Sequence, residues 1–202
     1  MKKFLAILVL GLFLITPSQA DDIRDFQIEG MSLGDSALDY FSEDEIENFI
    51  KKETTFYYQN SKFILFGVYD RDSFNIYKSL GITIKKNDNR FTIYSIAGQN
   101  YNFENFNECF VKQEEIFEQL RKLFKNSPFK KSPEEKFYSN QKLAGKQKAI
   151  NFLIEDGAMA RVVCYELNKK FSELSRWKNK LEVILNSKEF GEFLYIYSTG
   201  NQ

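Results

Sequence analysis

Residues 148–167, KAINFLIEDGAMARVVCYEL, restrict the fold more than any other stretch, because they predict a β-hairpin. Asp156-Gly157 lies between two apolar runs, and Asp-Gly in this setting favours a tight turn, since glycine adopts positive φ without steric cost. Both arms alternate in the manner of strands, and the second is rich in β-branched residues. Glu155 and Asp156 are therefore interpreted as turn residues rather than catalytic ones. The first arm is expected to bury one face, formed by Ile150, Phe152 and Ile154.

The chain has two cysteines, Cys109 and Cys164, and the second lies in the predicted hairpin. An isolated pair in an oxidising compartment is most simply a disulfide. The alternative is two free thiols, one of them catalytic, but the sequence has no histidine to activate a thiol. Cys109 lies near the start of a predicted helix, on or beside its buried face. We therefore expect a bond from this helix to the strand that carries Cys164.

The N-terminal residues have the features of a secretory signal peptide. Lys2 and Lys3 precede an apolar run, and small residues precede the expected cleavage after Ala20. The apolar run is shorter than the roughly 20 residues that a membrane-spanning helix requires. Asp21 follows the cleavage position, so no lipidated cysteine is expected there. The prediction is a signal peptide at 1–20 and a soluble periplasmic or secreted product without a stable membrane anchor.

Composition excludes several classes of function. The chain has 28 basic and 28 acidic residues, and this balance gives no reason to expect a nucleic-acid partner. The absence of histidine removes the usual general base, the common zinc ligand and the standard nucleophile triads. Residues 30–34 contain two glycines but lack the lysine of a phosphate-binding loop. The sequence therefore identifies no catalytic residue, no metal site and no cofactor, and its binding residues are unknown.

The first half of the predicted mature chain contains short helices, then strands, then a long helix. Ser32 and Ser42 each begin a capping pattern. The acids at 43–47 suit a helix start, because its dipole favours negative charge, and we prefer this interpretation to a cation site. The long helix has an aromatic stripe with helical spacing. The predicted elements are helices 33–41 and 43–52, strands 62–69, 80–85 and 90–97, and helix 104–126.

Residues 127–147 are interpreted as a linker or long loop, because they contain Pro128 and Pro133 among polar residues. Lysine is frequent between residues 125 and 148, and only Glu134 and Glu135 oppose it. One interpretation is a solvated, mobile loop, and the other is an electrostatic contact for an acidic partner or an anionic surface. Three elements are predicted after the hairpin: a strand at 181–185, for which a helix is the alternative, a helix at 188–197 and a tail at 199–202.

The segment Ile28-Glu29-Gly30-Met31-Ser32, followed by two helices and a meander, resembles small secreted helix-helix-sheet modules. These include the barrel-assembly lipoproteins of the SmpA/OmlA type and the repeat of the β-lactamase inhibitor protein. The whole pattern also resembles secreted proteins of small Gram-negative bacteria for which no activity is known. The resemblance covers about residues 27–98, and it implies a function in binding other proteins. It assigns no functional residue, and this chain lacks the lipidated cysteine of the lipoprotein type.

These observations predict an α+β fold, with helices packed on an antiparallel sheet and one disulfide, Cys109–Cys164. Residues 21–198 are expected to form a single domain, with half-units at about 27–126 and 146–198. The favoured function is a periplasmic or secreted binding or accessory protein that contacts another envelope protein or polymer. Its motivating features are the aromatic residues 56–58 and the lysine-rich segment. The alternative is an envelope-glycan hydrolase that uses two carboxylates.

Overall fold

The computed structural model describes residues 23–199, apart from positions 53, 59–61, 70, 102, 104, 140–141, 155–156 and 176. The predicted signal peptide and most of the predicted tail lie outside the described residues. No helix in the described part of the chain is long and apolar enough to cross a membrane. The helices are α1 (Glu43–Ile50), α2 (Phe106–Leu123), α3 (Lys169–Ser175) and α4 (Lys188–Thr199). The strands are β1 (Phe56–Tyr57), β2 (Phe63–Tyr69), β3 (Ser79–Lys85), β4 (Ser95–Tyr101), β5 (Phe129–Lys131), β6 (Glu135–Ser139), β7 (Lys142–Leu153), β8 (Met159–Leu167) and β9 (Lys180–Asn186).

The described strands all join one antiparallel sheet in the order β1-β2-β3-β4-β9-β8-β7-β5, with β6 also paired to β7. The first four strands form a meander, and β7 and β8 form the predicted hairpin. β4 pairs with β9 along its whole length, so both halves of the chain contribute to the same sheet. The predicted α+β class with an antiparallel sheet is confirmed.

One face of the sheet is apolar and packs against α1 and α2, and we call it the helix face. Alternate strand residues point to this face, including Phe66, Ile82, Val162 and Val183, and all four are fully buried. Burial of each such side chain contributes about 1.5–3 kcal/mol relative to an exposed position. Residues Ile150, Phe152 and Ile154 of the hairpin also belong to this core, as their alternation predicted.

Helix α2 lies across β8 and β9 and is anchored by a polar side chain as well as by aromatic rings. Gln113 is fully buried, and its Nε2 donates hydrogen bonds to the carbonyl oxygens of Lys148, at 2.8 Å, and Val162, at 2.9 Å. These carbonyls belong to β7 and β8. One amide group therefore ties the helix to both arms of the hairpin.

The predicted disulfide is present. Cys109 in the first turns of α2 bonds to Cys164 in β8, and both residues are buried. The helix stripe places Cys109 against the sheet, and strand alternation places Cys164 on the helix face. The two sulfur atoms meet because both elements bury the face that carries the cysteine.

The opposite face of the sheet, which we call the polar face, carries more polar side chains. Ser79, Thr83, Ser95 and Glu182 are buried there. Helix α4 covers one end of this face through aromatic contacts. The rings of Phe190 and Phe193 lie 5.0 Å and 5.2 Å from the ring of Phe63 in β2.

The predicted helix at 33–41 is wrong. Only one turn of 3-10 helix forms there, at Ala37–Asp39. Gly34 has a φ of 88°, which an α-helix does not accommodate. The carboxylate of Asp35 accepts hydrogen bonds from the Ser32 N–H and the Tyr40 hydroxyl, so it closes a local turn. The second predicted cap is correct, because Ser42 and Glu45 form a full capping box at the start of α1.

The strand predicted at 90–97 begins later, because β4 starts at Ser95. The carboxylate of Asp88 accepts hydrogen bonds from the N–H groups of Arg90 and Thr92, both at 3.0 Å. These bonds outweigh partial burial and lower the pKa of Asp88. Phe91 has a φ of 47°, so the chain is still turning where a strand was predicted.

The predicted loop at 127–147 is also wrong, because this segment forms β5, β6 and the start of β7. β5 and β6 lie at the edge of the sheet, where no other described strand pairs with their outer side. Helix α3 was not predicted. The hairpin, the strand at 181–185 and the closing helix are confirmed as β7–β8, β9 and α4. The hairpin loop runs from Ile154 to Ala158, with Gly157 at a φ of 87°, and Glu155 and Asp156 lie outside the described residues.

Candidate functional site

The two surface features that favoured a binding function lie at opposite ends of the strand order. Residues 56–57 form β1, which ends the sheet on one side. The lysine-rich segment forms β5 and β6, which end it on the other side. The two features belong to different edges of the sheet, so each is assessed separately.

The three aromatic residues at 56–58 have different environments. Phe56 and Tyr57 are 46% and 49% exposed. Tyr58 is half-buried, and its ring packs edge-on against Phe190 and Phe193 of α4 at 5.5 Å and 5.4 Å. Burial raises the pKa of Tyr58 to about 12, and negative charge on nearby tyrosine and glutamate side chains adds to the effect. Tyr58 therefore holds α4 on the polar face, and only two of the aromatics are exposed.

The opposite end of the sheet combines positive charge with exposed apolar area. We call this surface the lysine edge, and define it as β5, β6 and residues 142–143 of β7. Its exposed apolar and aromatic side chains are Phe129 (46%), Tyr138 (54%) and Leu143 (50%). Its exposed lysines are Lys130, Lys131, Lys136 and Lys142.

Lys131 and two lysines next to the lysine edge already have partners within the protein. Lys131 forms an ion pair with Glu114 at 2.5 Å, and Lys146 pairs with Glu166 at 2.9 Å and Glu134 at 3.1 Å. These hydrogen bonds raise the pKa of Lys146. The Nζ atom of Lys148 lies 4.5 Å from the centre of the Phe110 ring. All of these lysines lie on or near the helix face.

The other three lysines of the lysine edge are Lys130, Lys136 and Lys142, and they form no ion pair with any described residue. Glu135 is the one acid within the edge strands, and it accepts a hydrogen bond of 3.4 Å from Gln147. Most of the positive charge of the lysine edge is therefore available to a partner.

The lysine edge also has unpaired backbone. β7 is paired with β8 on one side, and with β5 and β6 on the other. No other described strand pairs with β5 or β6, so their outer N–H and C=O groups end the sheet. An exposed edge of this kind is a template on which another extended chain can pair. Pro133 separates the two short strands, and the register shifts between Phe137 and Tyr138.

A second candidate site is the polar cluster around Glu182, the only buried carboxylate among the described residues. Its carboxylate accepts hydrogen bonds from Gln99 at 2.5 Å and from Lys180 at 3.0 Å. The Gln99 carbonyl oxygen in turn accepts from Ser79 and Tyr101. These groups satisfy one another. The cluster therefore links β3, β4 and β9 and leaves no reactive group unpartnered.

The Glu182 cluster does not contain the pair of acids that a two-carboxylate hydrolase uses. Such an enzyme needs two acids held across a cleft. No second described carboxylate is hydrogen-bonded into the Glu182 cluster, and the Lys180 ammonium offsets the charge of Glu182. The acids of α1 have structural partners: Glu45 closes the capping box, and hydrogen bonds from Ser42 together with Arg71 lower its pKa. No group of three or more potential metal ligands occurs in the described part of the chain.

The sequence indicated the lysines of this surface but missed its strands and the Glu182 cluster. Phe137-Tyr138, flanked by lysine and serine, is a signal that favours a strand, and the neighbouring prolines obscured it. Nothing local predicted the Glu182 cluster, because its members come from three strands. Comparison with known proteins assigns no function, since no protein-family model and no curated protein matches the chain.

Proposed function

We propose that the chain is an exported binding protein that contacts its partner through the lysine edge. The observation that carries this proposal is the composition of that edge. Lys130, Lys136 and Lys142 are exposed without an ion-pair partner among the described residues, and they lie beside three exposed apolar side chains.

Export is supported by the signal-peptide pattern at 1–20 and by the disulfide. Disulfides persist in oxidising compartments and are rare where glutathione keeps thiols reduced. The intact mass of the protein from its own cells tests this step. A mass that begins at Asp21 and is two hydrogens light is expected, whereas a mass that retains residues 1–20 would contradict export.

A binding role accounts for charge and apolar area occurring together. Positive charge without counter-charges attracts an acidic partner and accelerates association. Exposed rings such as Tyr138 supply contact area that is lost to water on binding, and aromatic residues are enriched at the centres of interfaces. The Glu182 cluster offers neither feature, because its polar groups are satisfied within the protein.

The proposal is tested by site-specific photo-cross-linking in the organism that encodes the protein. A photoreactive phenylalanine analogue replaces Tyr138 at the lysine edge, or Leu174 in α3 as a control, since Leu174 is 77% exposed. We expect a discrete adduct from position 138 only. The adduct should disappear in the edge variant, K130E/K136E/K142E.

A control variant, K86E/K169E/K178E, makes the same change in charge at exposed lysines elsewhere and should keep the adduct. Absence of a discrete adduct at position 138 would overturn the proposal. It would also be overturned by an adduct that persists in the edge variant or forms equally at position 174.

A further inference from the structure

We infer that the lysine edge receives an acidic, extended segment of another protein, which adds to the sheet as a strand beside β6. This inference rests on the proposed function, because it names the class of partner for that same surface. It is carried by the unpaired backbone of β6 together with the placement of its side chains.

The outer backbone groups of β6 are suited to a peptide partner. β6 pairs with β7 from Glu135 to Ser139, and β8 occupies the other side of β7. The outer backbone groups of β6 therefore have no described strand beside them. Only another extended polypeptide offers N–H and C=O groups at the matching spacing. A polysaccharide or polyphosphate would meet the lysines but would leave this ladder unpaired.

The side chains of β6 alternate between the two faces of the sheet. Lys136 pairs with Lys146 and shares the helix face with it. Phe137 lies on the polar face, where its ring is 4.9 Å from that of Tyr165. Tyr138 follows the register shift and is paired with Leu143, another exposed residue.

The side-chain pattern of the partner follows from this alternation, because side chains of neighbouring strands align on the same face. A partner residue beside Lys136 is expected to be acidic. A partner residue beside Phe137, on the opposite face, is expected to be apolar. The matching segment therefore alternates acidic and apolar residues over about five positions, or about 17 Å.

A second copy of the chain fits this edge poorly. Symmetric pairing of two β6 strands would bring two positively charged edges together, and pairing centred on Lys136 would place the two Lys136 side chains opposite each other, where like charges destabilise pairing. Lysine at a sheet edge is a common protection against such self-association. Charge thus opposes a homodimer at this edge and favours an acidic segment from a different protein.

The test uses purified, disulfide-bonded protein and a blocked heptapeptide that alternates glutamate and valine. Binding is measured by isothermal titration calorimetry, and amide protection by hydrogen–deuterium exchange. We expect saturable binding together with slower exchange at residues 135–139, and no change at residues 56–57 on the other edge. The edge variant should bind at least about tenfold more weakly, and the control triple variant should bind as the wild type does. Near-ultraviolet circular dichroism confirms that both variants are folded.

Two further ligands separate strand addition from charge attraction. The same peptide, N-methylated at alternate amides on the edge that pairs, keeps its charge but loses backbone donors, so it should bind at least about tenfold more weakly. Inorganic polyphosphate presents charge without a peptide backbone and should not slow exchange in β6.

Peptide binding that is unchanged by N-methylation or in the edge variant would overturn the inference. A concentration-dependent dimer that protects residues 135–139 would also overturn it, since a second copy would then be the occupant. If polyphosphate binds and the peptide does not, the inference fails while a binding function at the lysine edge stands. If neither ligand binds and the cross-link at position 138 is also absent, the proposed function fails as well.

Discussion

Cys109 in α2 is bonded to Cys164 in β8, and their Cα atoms lie 6.0 Å apart. This bond joins the long helix to the centre of the hairpin, next to the point where Gln113 reaches the same two strands. A covalent link and a buried amide therefore fix one helix to one hairpin. Both belong to the helix face, away from the lysine edge, so their effects on stability and on binding are separable.

Replacement of both cysteines by alanine is expected to lower the free energy of unfolding. The bond spans a sequence separation of 55 residues. Removal of a crosslink that closes a loop of this length costs about 4 kcal/mol, chiefly because the unfolded chain gains entropy. Urea unfolding of the wild-type and C109A/C164A proteins measures the difference. A loss below about 1 kcal/mol would contradict a stabilising role for the bond.

Gln113→Leu is expected to destabilise the protein by about 1–3 kcal/mol, because the carbonyls of Lys148 and Val162 lose their shared donor. Gln113→Glu should cost more at neutral pH, since it brings a carboxylate against two carbonyl oxygens. Part of that loss should be recovered as the pH falls and the carboxyl becomes protonated. Gln119→Leu, at an exposed position of the same helix, is the matched control and should change stability by less than about 0.5 kcal/mol. Equal effects at positions 113 and 119 would refute the anchoring role.

Gly145→Ala is expected to destabilise the hairpin. A Cβ atom at this position would lie 2.1 Å from the carbonyl oxygen of Glu166, so the β7–β8 pairing would have to shift. We expect a cost of about 1–3 kcal/mol, as for overpacking in a core. Gly191→Ala in α4 is the control, because nothing lies within 4 Å of the added methyl group.

The control should be stabilising by up to about 1 kcal/mol, since alanine favours a helix more than glycine does. Thermal unfolding of the two variants should therefore shift in opposite directions. A Gly145→Ala protein as stable as the wild type would show that β7 adapts to the methyl group.

Glu189 is expected to contribute to the loss of stability in acid. Its carboxylate pairs with Lys62 at 2.5 Å and Lys85 at 2.7 Å, and these hydrogen bonds lower its pKa. As the pH falls, the Glu189 carboxyl therefore binds a proton in the unfolded chain before it does so in the folded protein, near the usual pKa of about 4.3. The contribution is present above that pH and is lost as the pH falls through the folded-state pKa. Because Glu189 is 43% exposed, it should amount to less than about 1 kcal/mol.

Lys85 should act at the opposite end of the pH range. Burial works against its charge, but hydrogen bonds to Glu189 and Tyr94 outweigh burial and raise its pKa. This contribution is present below the pKa of the unfolded chain and is lost as the pH rises through the folded-state value. Unfolding across pH should show a flatter acid limb for Glu189→Gln and an unchanged one for the exposed control Glu192→Gln. Identical acid limbs for the two variants would contradict the role of Glu189.

Local patterns in the sequence were sufficient for the hairpin, the capping box at Ser42, helix α2 and the disulfide. Each depends on residues close in sequence or on a face that must be buried. Alternation at Ile150, Phe152 and Ile154 predicted which side of β7 meets the core. Helical spacing placed Cys109 on or beside the buried face of α2, and Cys109 is buried in the structure. These patterns persist in the fold because burial of apolar area is its dominant driving force.

Local patterns also led to errors where a polar side chain can form its hydrogen bonds either in a helix or strand or in a turn. Asp35 follows Ser32 at capping-box spacing, yet its carboxylate closes a turn with Tyr40. Asp88 delays β4 by binding the amides of Arg90 and Thr92. Polar side chains that bind nearby backbone compete with helix and strand, and the sequence alone does not settle that competition.

Only the tertiary structure decided that the lysine-rich segment is a sheet edge. Residues 129–131 and 135–139 lie among prolines and polar residues that favour a loop, and they become strands because β7 offers them a free side. That side exists because β8 takes the other one, a relation between strands that no local window contains. Positive charge at this surface was therefore determined by the sequence. The unpaired backbone beside that charge, on which the proposed partner depends, was decided by the order of strands in the sheet.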